Sequence, residues 1–173
     1  WQLKTPFKQE QIKRNQWGLI TDYKEEIIDF SKNPTKGPAH VGFDYSYILP
    51  ASLDIPPYVY LENGVFTKSI RSSTNGSNLK GDKDYDFWRP GPMAEDFDFY
   101  KVLPTFIEKA KLFIGQAQKK EAPFFLYLPL AAPHTPWVPS ANYKGKSLVG
   151  MYGEFVQMVD DQVGHLLKYL EDQ

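Results

Sequence analysis

The chain of 173 residues contains no cysteine. This absence excludes disulfide bonds, thiolate metal ligands and a cysteine nucleophile, and it leaves the redox compartment open. No run of about eighteen apolar residues occurs either, so the sequence predicts no membrane-spanning segment. An excess of one charge is also missing, because 20 Lys and Arg residues oppose 21 Asp and Glu residues. Nucleic acid and an anionic membrane surface are therefore not expected as partners.

Several sequence signals of targeting and catalysis are missing as well. The sequence begins at Trp1 without the charged and then apolar layout of a signal peptide, so a processed or excised piece is one expectation. GxSxG, GxxxxGK[ST], GxGxxG and HExxH do not occur, which leaves nucleophile elbows, nucleotide loops and a self-contained zinc site unsupported. Asp160 and Asp161 are adjacent on a predicted helix, where their side chains point about 100° apart and cannot converge on one cation.

The residues that are present predict a single partial domain, 1–173, with two unlike halves. Residues 1–100 are rich in turn-forming residues and predict loops and a hairpin rather than long regular elements. Residues 58–62 and 65–69 are β-prone runs joined by Asn63-Gly64, the dipeptide favoured in type I′ turns, and this pattern predicts a β-hairpin. The polar stretch 71–89 predicts a long surface loop.

Residues 101–173 predict a helix, a strand and a second helix. Apolar residues recur at three- and four-residue spacing from Leu103 to Ala117, which predicts an amphipathic helix ending near Lys120. Residues 123–130 are apolar on both faces and bounded by prolines, as is typical of a strand buried in a parallel sheet. An apolar stripe over 152–170 predicts the second helix. This alternation predicts a layered α/β fold, and because one parallel strand needs neighbours, a piece of a larger protein is expected.

Three histidines, far apart in sequence, are the first candidates for chemistry. His134 lies in the loop 131–137 after the predicted strand, where ligands bind in open α/β sheets. An imidazole there could donate to an anionic group or bind a metal, or it could simply cap a turn. His40 and His165 are expected to be structural or exposed. Because no dense His and Asp cluster occurs, no metal site is predicted within the chain.

Aromatic residues make up 16% of the chain and support a second interpretation. Some of them could form a surface that stacks on sugars, although such residues more often anchor a core or a loop. They are Tyr45, Tyr47, Tyr58, Tyr60, Phe66, Trp88 and Trp137. A non-catalytic carbohydrate-binding module therefore stays open. In such a module alanine at Trp88 or Trp137 would abolish binding, and His134 would not matter.

Four segments occur together and in a fixed order along the chain. They are Gly42-Phe43-Asp44-Tyr45-Ser46-Tyr47, residues 51–63, residues 123–127 followed by Pro133-His134-Thr135-Pro136, and residues 152–167. This ordered set resembles the formylglycine-dependent sulfatases, in particular bacterial arylsulfatase-like members. The resemblance implies the central portion of an alkaline-phosphatase/sulfatase-like fold, with a few-stranded mixed sheet, flanking helices and a β-hairpin. It also implies hydrolysis of sulfate esters, on sugars, by a periplasmic or extracellular parent protein.

The same resemblance implies how much catalytic machinery this sequence holds. The family nucleophile is a formylglycine made from the Cys or Ser of a [Cys/Ser]-x-[Pro/Ala]-x-Arg motif, and calcium polarises the sulfate. No serine here fits that motif, and the family's early Asp-Asp metal pair, its Lys-Trp-His motif and its later Asp-Asn metal pair with the following Lys are missing. The nucleophile and the calcium ligands are thus expected outside 1–173, and the isolated chain is expected to be inactive.

His134 is the catalytic residue that the resemblance carries over. It matches the family histidine that bonds to the sulfate or its bridging oxygen and stabilises charge on the leaving group. Asp54 and Trp137, which flank the expected pocket, are further candidates for substrate contact. The expected partner is a sulfated small molecule or glycan, and exposed sheet edges could pair with a second copy. An alkaline-phosphatase-like hydrolase of phosphate esters, also with its metal ligands elsewhere, stays open.

Overall fold

The computed structural model describes residues 1–2, 12–14, 16, 20–23, 28–78, 86–120 and 122–172. Two α-helices are described, α1 (Val102–Gln118) and α2 (Gly150–Glu171). The strands are short: β1 (Ile12–Arg14), β2 (Ile20–Tyr23), β3 (Tyr47–Ile48), β4 (Leu61–Glu62), β5 (Val65–Phe66), β6 (Ile70–Thr74) and β7 (Gly91–Ala94). They form three separate antiparallel ladders, β1-β2, β3-β4-β5 and β6-β7. No described helix is both long and apolar enough to cross a bilayer.

The predicted hairpin is confirmed, with shorter strands than the β-prone runs. Leu61 pairs with Phe66 and Glu62 pairs with Val65. Asn63 and Gly64 have φ angles of 51° and 81°, the two positive values that a type I′ turn requires. The turn also fixes β3, because the Asn63 side-chain oxygen accepts from Ser46 N at 2.9 Å and Asn63 N donates to Ser46 O at 2.8 Å.

The long surface loop predicted for 71–89 is wrong in its described parts, 71–78 and 86–89. β6 pairs with β7, and an isolated bridge joins Ser77 to Trp88. Residues of β6 alternate between half-buried and exposed, but two of the half-buried ones are polar. Ser72 Oγ donates to Met93 O at 2.8 Å, and the Trp88 indole N–H donates to Thr74 Oγ1 at 3.1 Å. Side-chain hydrogen bonds thus help to hold β6 in place, and its sequence lacks the alternating apolar residues that mark most strands.

Both predicted helices are confirmed, and α1 carries the centre of the core. Its inward face is buried at Val102, Leu103, Phe106, Ile107, Ala110 and Ile114. On α2 the apolar stripe is only partly covered. Phe155 and Leu166 are buried, while Tyr152 and Leu167 are exposed. Tyr58, from the first half of the chain, also packs into the core. It is fully buried and forms a parallel bridge to Met93 of β7.

Residues 123–130 are extended but do not form the predicted strand. Leu126, Leu128 and Leu130 pack against the core, whereas the side chains of Phe125 and Tyr127 are 75% and 65% exposed. The prediction of burial on both faces is therefore wrong for this structure. The physical reason is that the described residues provide no neighbouring strand to pair with 123–130 and no layer over its outer face.

Candidate functional site

A cavity of about 690 Å³ lies between residues 38–52, α1 and the extended segment 125–131. Its lining is mostly aromatic and aliphatic, with Phe43, Tyr47, Phe106, Phe113 and Phe125 among the larger side chains. His134 and Lys109 are the basic residues of the lining, and Ser46 and Ser52 contribute hydroxyls. A largely apolar cavity with a few polar groups is typical of sites that hold a ligand or another part of a protein.

His134 is brought to this cavity by the segment that precedes it. The segment 123–130 runs past α1, and the turn that follows presents the imidazole, which is exposed. Its Nδ1 lies 2.7 Å from the carbonyl oxygen of Thr135. A carbonyl can only accept, so Nδ1 must carry the proton and Nε2 is the nitrogen left for a ligand. The expected position of His134 beyond the end of an extended segment is thus found.

Lys109 does not act as a free cation in the cavity wall. Its ammonium donates to Glu62 Oε1 and Oε2 at 2.9 and 3.0 Å, and it lies 4.5 Å from the ring centre of Tyr47. Tyr45 donates its hydroxyl to the same carboxylate at 2.7 Å. Sequence reasoning missed this group, because its members lie in three separate segments and nothing in the local pattern links them.

The electrostatics of this group favour an ionised Glu62 and neutral tyrosines. The hydrogen bond from Lys109, and then the one from Tyr45, hold the pKa of Glu62 below its usual range. Burial, reinforced by the bond to Glu62, raises the pKa of Tyr45. Burial also raises the pKa of Tyr47 to about 12. These side chains therefore stabilise the wall of the cavity rather than offer an acid or a base near neutral pH.

Asp54 and Trp137, the two candidates for substrate contact, do not line the cavity. Asp54 is buried, and its Oδ1 accepts from Ser52 Oγ at 2.6 Å, so it positions a residue that does line it. The Trp137 ring is half-buried and packs 5.0 Å from the ring of Tyr152 on α2. Their roles toward a substrate stay predictions. The spacing of Ser52 and Asp54, two residues apart, is the signal that could have predicted their hydrogen bond.

The remaining candidate residues are exposed. His40 is exposed and its Nδ1 accepts from Gly37 N at 3.2 Å, and His165 is exposed on α2. Asp160 and Asp161 are exposed on the same helix. Among the described ranges, no group of three or more His, Asp or Glu side chains is placed to hold a metal ion.

The aromatic residues of the first half mainly anchor the core. Tyr47 stacks on Tyr60 at 5.1 Å, and Trp88 stacks on Phe99 at 4.1 Å. Tyr58 is fully buried. Because these faces are occupied by other side chains, they do not offer the open platform that a sugar-stacking surface requires.

Comparison with a solved structure defines the fold first. A solved sulfatase structure from work on the metabolism of multiple glycosaminoglycans by Bacteroides thetaiotaomicron superposes with a TM-score of 0.67 and 22% identity, over 86% of this chain and 37% of that one. The chain thus has part of the α/β fold of that sulfatase, as expected. The family model described as Sulfatase matches residues 37–173. The chain belongs to the sulfatase family.

Curated relatives agree with this assignment. The chain is 26% identical to an N-acetylgalactosamine-6-O-sulfatase of Bacteroides thetaiotaomicron, over 83% of this chain and 33% of that protein. It is 37% identical to the N-acetylgalactosamine-6-sulfatase of Mus musculus over 50% of this chain and 16% of that protein. The chain therefore spans about a third, or less, of the length of these relatives.

Proposed function

We propose that this chain is the central part of a sulfatase that hydrolyses sulfate esters of sugars. The observation that carries the proposal is the placement of His134, within the family-matched region, at a cavity beyond the end of segment 123–130. The names of the relatives suggest a narrower substrate class, a sugar carrying a 6-O-sulfate such as N-acetylgalactosamine 6-sulfate. The anionic ester would enter with its bridging oxygen toward His134.

In this proposal His134 assists the departure of the sugar. The Thr135 carbonyl holds the proton on Nδ1, so a protonated ring presents Nε2–H as the donor. That hydrogen bond would stabilise the negative charge that develops on the ester oxygen as the S–O bond breaks, and the proton would pass to the leaving alcohol. The orientation of the ring depends on its own loop, since the accepting carbonyl belongs to the next residue.

The nucleophile and the calcium site are proposed to lie outside residues 1–173. The described residues do not fit a calcium ion, because no group of three or more potential ligands converges among them. No serine precedes the Pro/Ala-x-Arg pattern from which formylglycine is made. Export of the parent protein to the periplasm or the cell exterior belongs to the same proposal, and cell fractionation tests it.

The leaving group provides the sharpest test of His134. In the full-length parent, His134→Ala should lower kcat for a sugar sulfate by about 10²–10⁴-fold, because the sugar alkoxide needs a proton. With p-nitrophenyl sulfate, whose leaving group is a weak base, the loss should be less than about tenfold. Rates for both substrates and the Tm of the variant are the measurements.

His165→Ala is the matched control, since His165 is an exposed histidine of the same chain. It should leave both rates unchanged. Equal losses of rate with the two substrates in His134→Ala would contradict a proton-donating role. A parent protein that hydrolyses phosphate esters but no sulfate ester would overturn the proposed function.

A further inference from the structure

We propose that Tyr152 of α2 is a positioning residue, which acts through Trp137 on the imidazole of His134. The imidazole is exposed, so close packing around the ring does not fix its orientation. The hydrogen bond from Nδ1 to the carbonyl oxygen of Thr135, at 2.7 Å, fixes it instead. The direction of that carbonyl therefore decides which ring nitrogen is left for a ligand.

The chain is anchored directly after Thr135, over residues 136–140. The residues of this anchor that are almost fully buried are Pro136, Val138 and Pro139. At its end Ser140 N donates to Met158 Sδ at 3.3 Å, so the anchor is attached to α2. Before it, Pro133 and His134 are exposed. The position of the anchor therefore sets the direction of the Thr135 carbonyl.

Trp137 is the largest side chain of the anchor, and it is only half-buried. Its ring packs on Tyr152 in the first turn of α2, with 5.0 Å between ring centres and 53° between ring planes. Aromatic rings at this distance attract each other beyond the area that they bury. The Tyr152 side chain is itself 44% exposed, so it contributes little to the core. Removing its ring should therefore loosen the anchor without unfolding the helix.

The start of α2 is a firm support for this contact. Glu154 is buried, and its Oε1 accepts from Gly145 N at 2.7 Å, which ties the loop 144–149 to the helix. Gly153 lies against Ser147 of the same loop and leaves no room for a side chain. On the other side Phe155 is buried in the core. The ring of Tyr152 thus projects from an element that is held on two sides, as a positioning contact requires.

The consequence for His134 follows from the chemistry of its ring. While Nδ1–H donates to the Thr135 carbonyl, the plane of the ring is fixed and Nε2 is the nitrogen left for a ligand. If the carbonyl turns away, the ring can rotate and the neutral form can carry its proton on either nitrogen. A displacement of about 1 Å can lower a rate by roughly 100-fold. The effect on rate rests on the proposed function, whereas the effect on the proton needs no substrate.

Nitrogen NMR of the full-length parent, labelled with ¹⁵N-histidine, tests the proton directly. At about pH 8.5, well above the usual histidine pKa, the His134 ring of the wild type and of Tyr152→Phe should carry its proton on Nδ1. In Tyr152→Ala, and in Trp137→Leu, the shifts of the two ring nitrogens should move toward each other. Val156→Ala is the control, because Val156 is an apolar residue of α2 that is 38% exposed. Wild-type shifts in both Tyr152→Ala and Trp137→Leu would overturn the proposal.

Rates of the same variants separate positioning from general damage. Tyr152→Ala should lower kcat for a sugar sulfate by roughly tenfold to 100-fold, with KM changed less than about threefold, and Tyr152→Phe should retain the wild-type rate. An equal loss in Tyr152→Phe would overturn a role for the ring. A changed proton position with an unchanged rate would support the positioning of His134 and count against its proposed part in the reaction.

Discussion

At the residue scale, one carboxylate joins three distant parts of the chain. Glu62 of β4 accepts from Lys109 of α1 and from Tyr45, which precedes β3. The ring of Tyr45 in turn stacks on Phe113 of α1 with 5.9 Å between ring centres. The wall of the cavity is thus stabilised by the Lys109–Glu62 ion pair, by the hydrogen bond from Tyr45 and by the stacking of Tyr45 on Phe113. Since Lys109 and Glu62 are partly exposed, water screens the attraction and its contribution is modest.

This carboxylate predicts a dependence of stability on pH. Its pKa is lowered in the folded chain, so its contribution is present above the usual pKa of glutamate, about 4.3, and is lost as the pH falls through the folded value. Urea unfolding at pH 6 and at pH 3 gives the loss of free energy of unfolding on acidification. This loss should be greater in the wild type than in Glu62→Gln, by about 1 kcal/mol or less. Glu108→Gln, at the exposed Glu108–Lys111 pair, should retain the wild-type acid loss. The same acid loss in Glu62→Gln as in the wild type would contradict the role of this group.

At the scale of elements, the closing of β6 on β7 depends on one glycine. Gly76 has a φ of 81°, and a Cβ atom there would lie 2.9 Å from Pro90 N and from Trp88 O. These are backbone atoms of the segment that leads into β7, so they cannot move aside as a flexible side chain does. The Ser77–Trp88 bridge brings these two segments of the chain this close together.

Gly76→Ala should therefore destabilise the chain by about 1–3 kcal/mol, through the positive φ and the backbone clash together. Gly37→Ala is a suitable control, because Gly37 has a φ of −171° and no atom within 4 Å of an added Cβ. It should change stability by less than about 0.5 kcal/mol. Thermal or urea unfolding of the two variants is the measurement, and equal effects would contradict the close approach at Gly76.

Element prediction from the sequence was most accurate where burial alone decides the structure. The spacing of apolar residues predicts α1 and α2, because these residues form the face that each helix packs on the core. The dipeptide Asn63-Gly64 predicts its turn from local conformation alone. β6 was missed because its inward residues are polar and paired with distant groups. The segment 123–130 was predicted as a buried strand because of its apolar character, but pairing depends on neighbours that the described residues do not contain.

The site shows the same division between local and distant information. His134 could be placed from sequence, because its position follows from the extended segment before it and from the family resemblance. Lys109 could not, since its role depends on contacts with residues about 50 positions away. Asp54 accepts a hydrogen bond from Ser52, which lines the cavity, and no pattern in the sequence shows which of the two residues lines it.

At the scale of the whole molecule, the described residues leave several large apolar side chains exposed. The apolar part of this surface includes the outer sides of 123–127 and the uncovered residues of α2.

The isolated chain is therefore expected to bind sulfate esters poorly and to turn none over. Purified 1–173 should release no nitrophenol from p-nitrophenyl sulfate above the level of the His134→Ala variant prepared in parallel. The reason is that the largest rate contributions of a sulfatase, its nucleophile and its metal, are proposed to lie elsewhere. Turnover that co-purifies with the wild-type chain and is lost in the variant would contradict this expectation.

The contact between Trp88 and Phe99 also has an optical consequence. The two rings stack 4.1 Å apart, and the indole N–H is fixed by Thr74. A tryptophan held rigidly in an asymmetric environment contributes to near-ultraviolet circular dichroism, and this signal is lost when fixed packing is lost. Trp88 lies where the β6–β7 pair meets the 3-10 turn (Phe99–Lys101) that leads into α1. Its near-ultraviolet band therefore reports on whether the β6–β7 pair is packed against this turn.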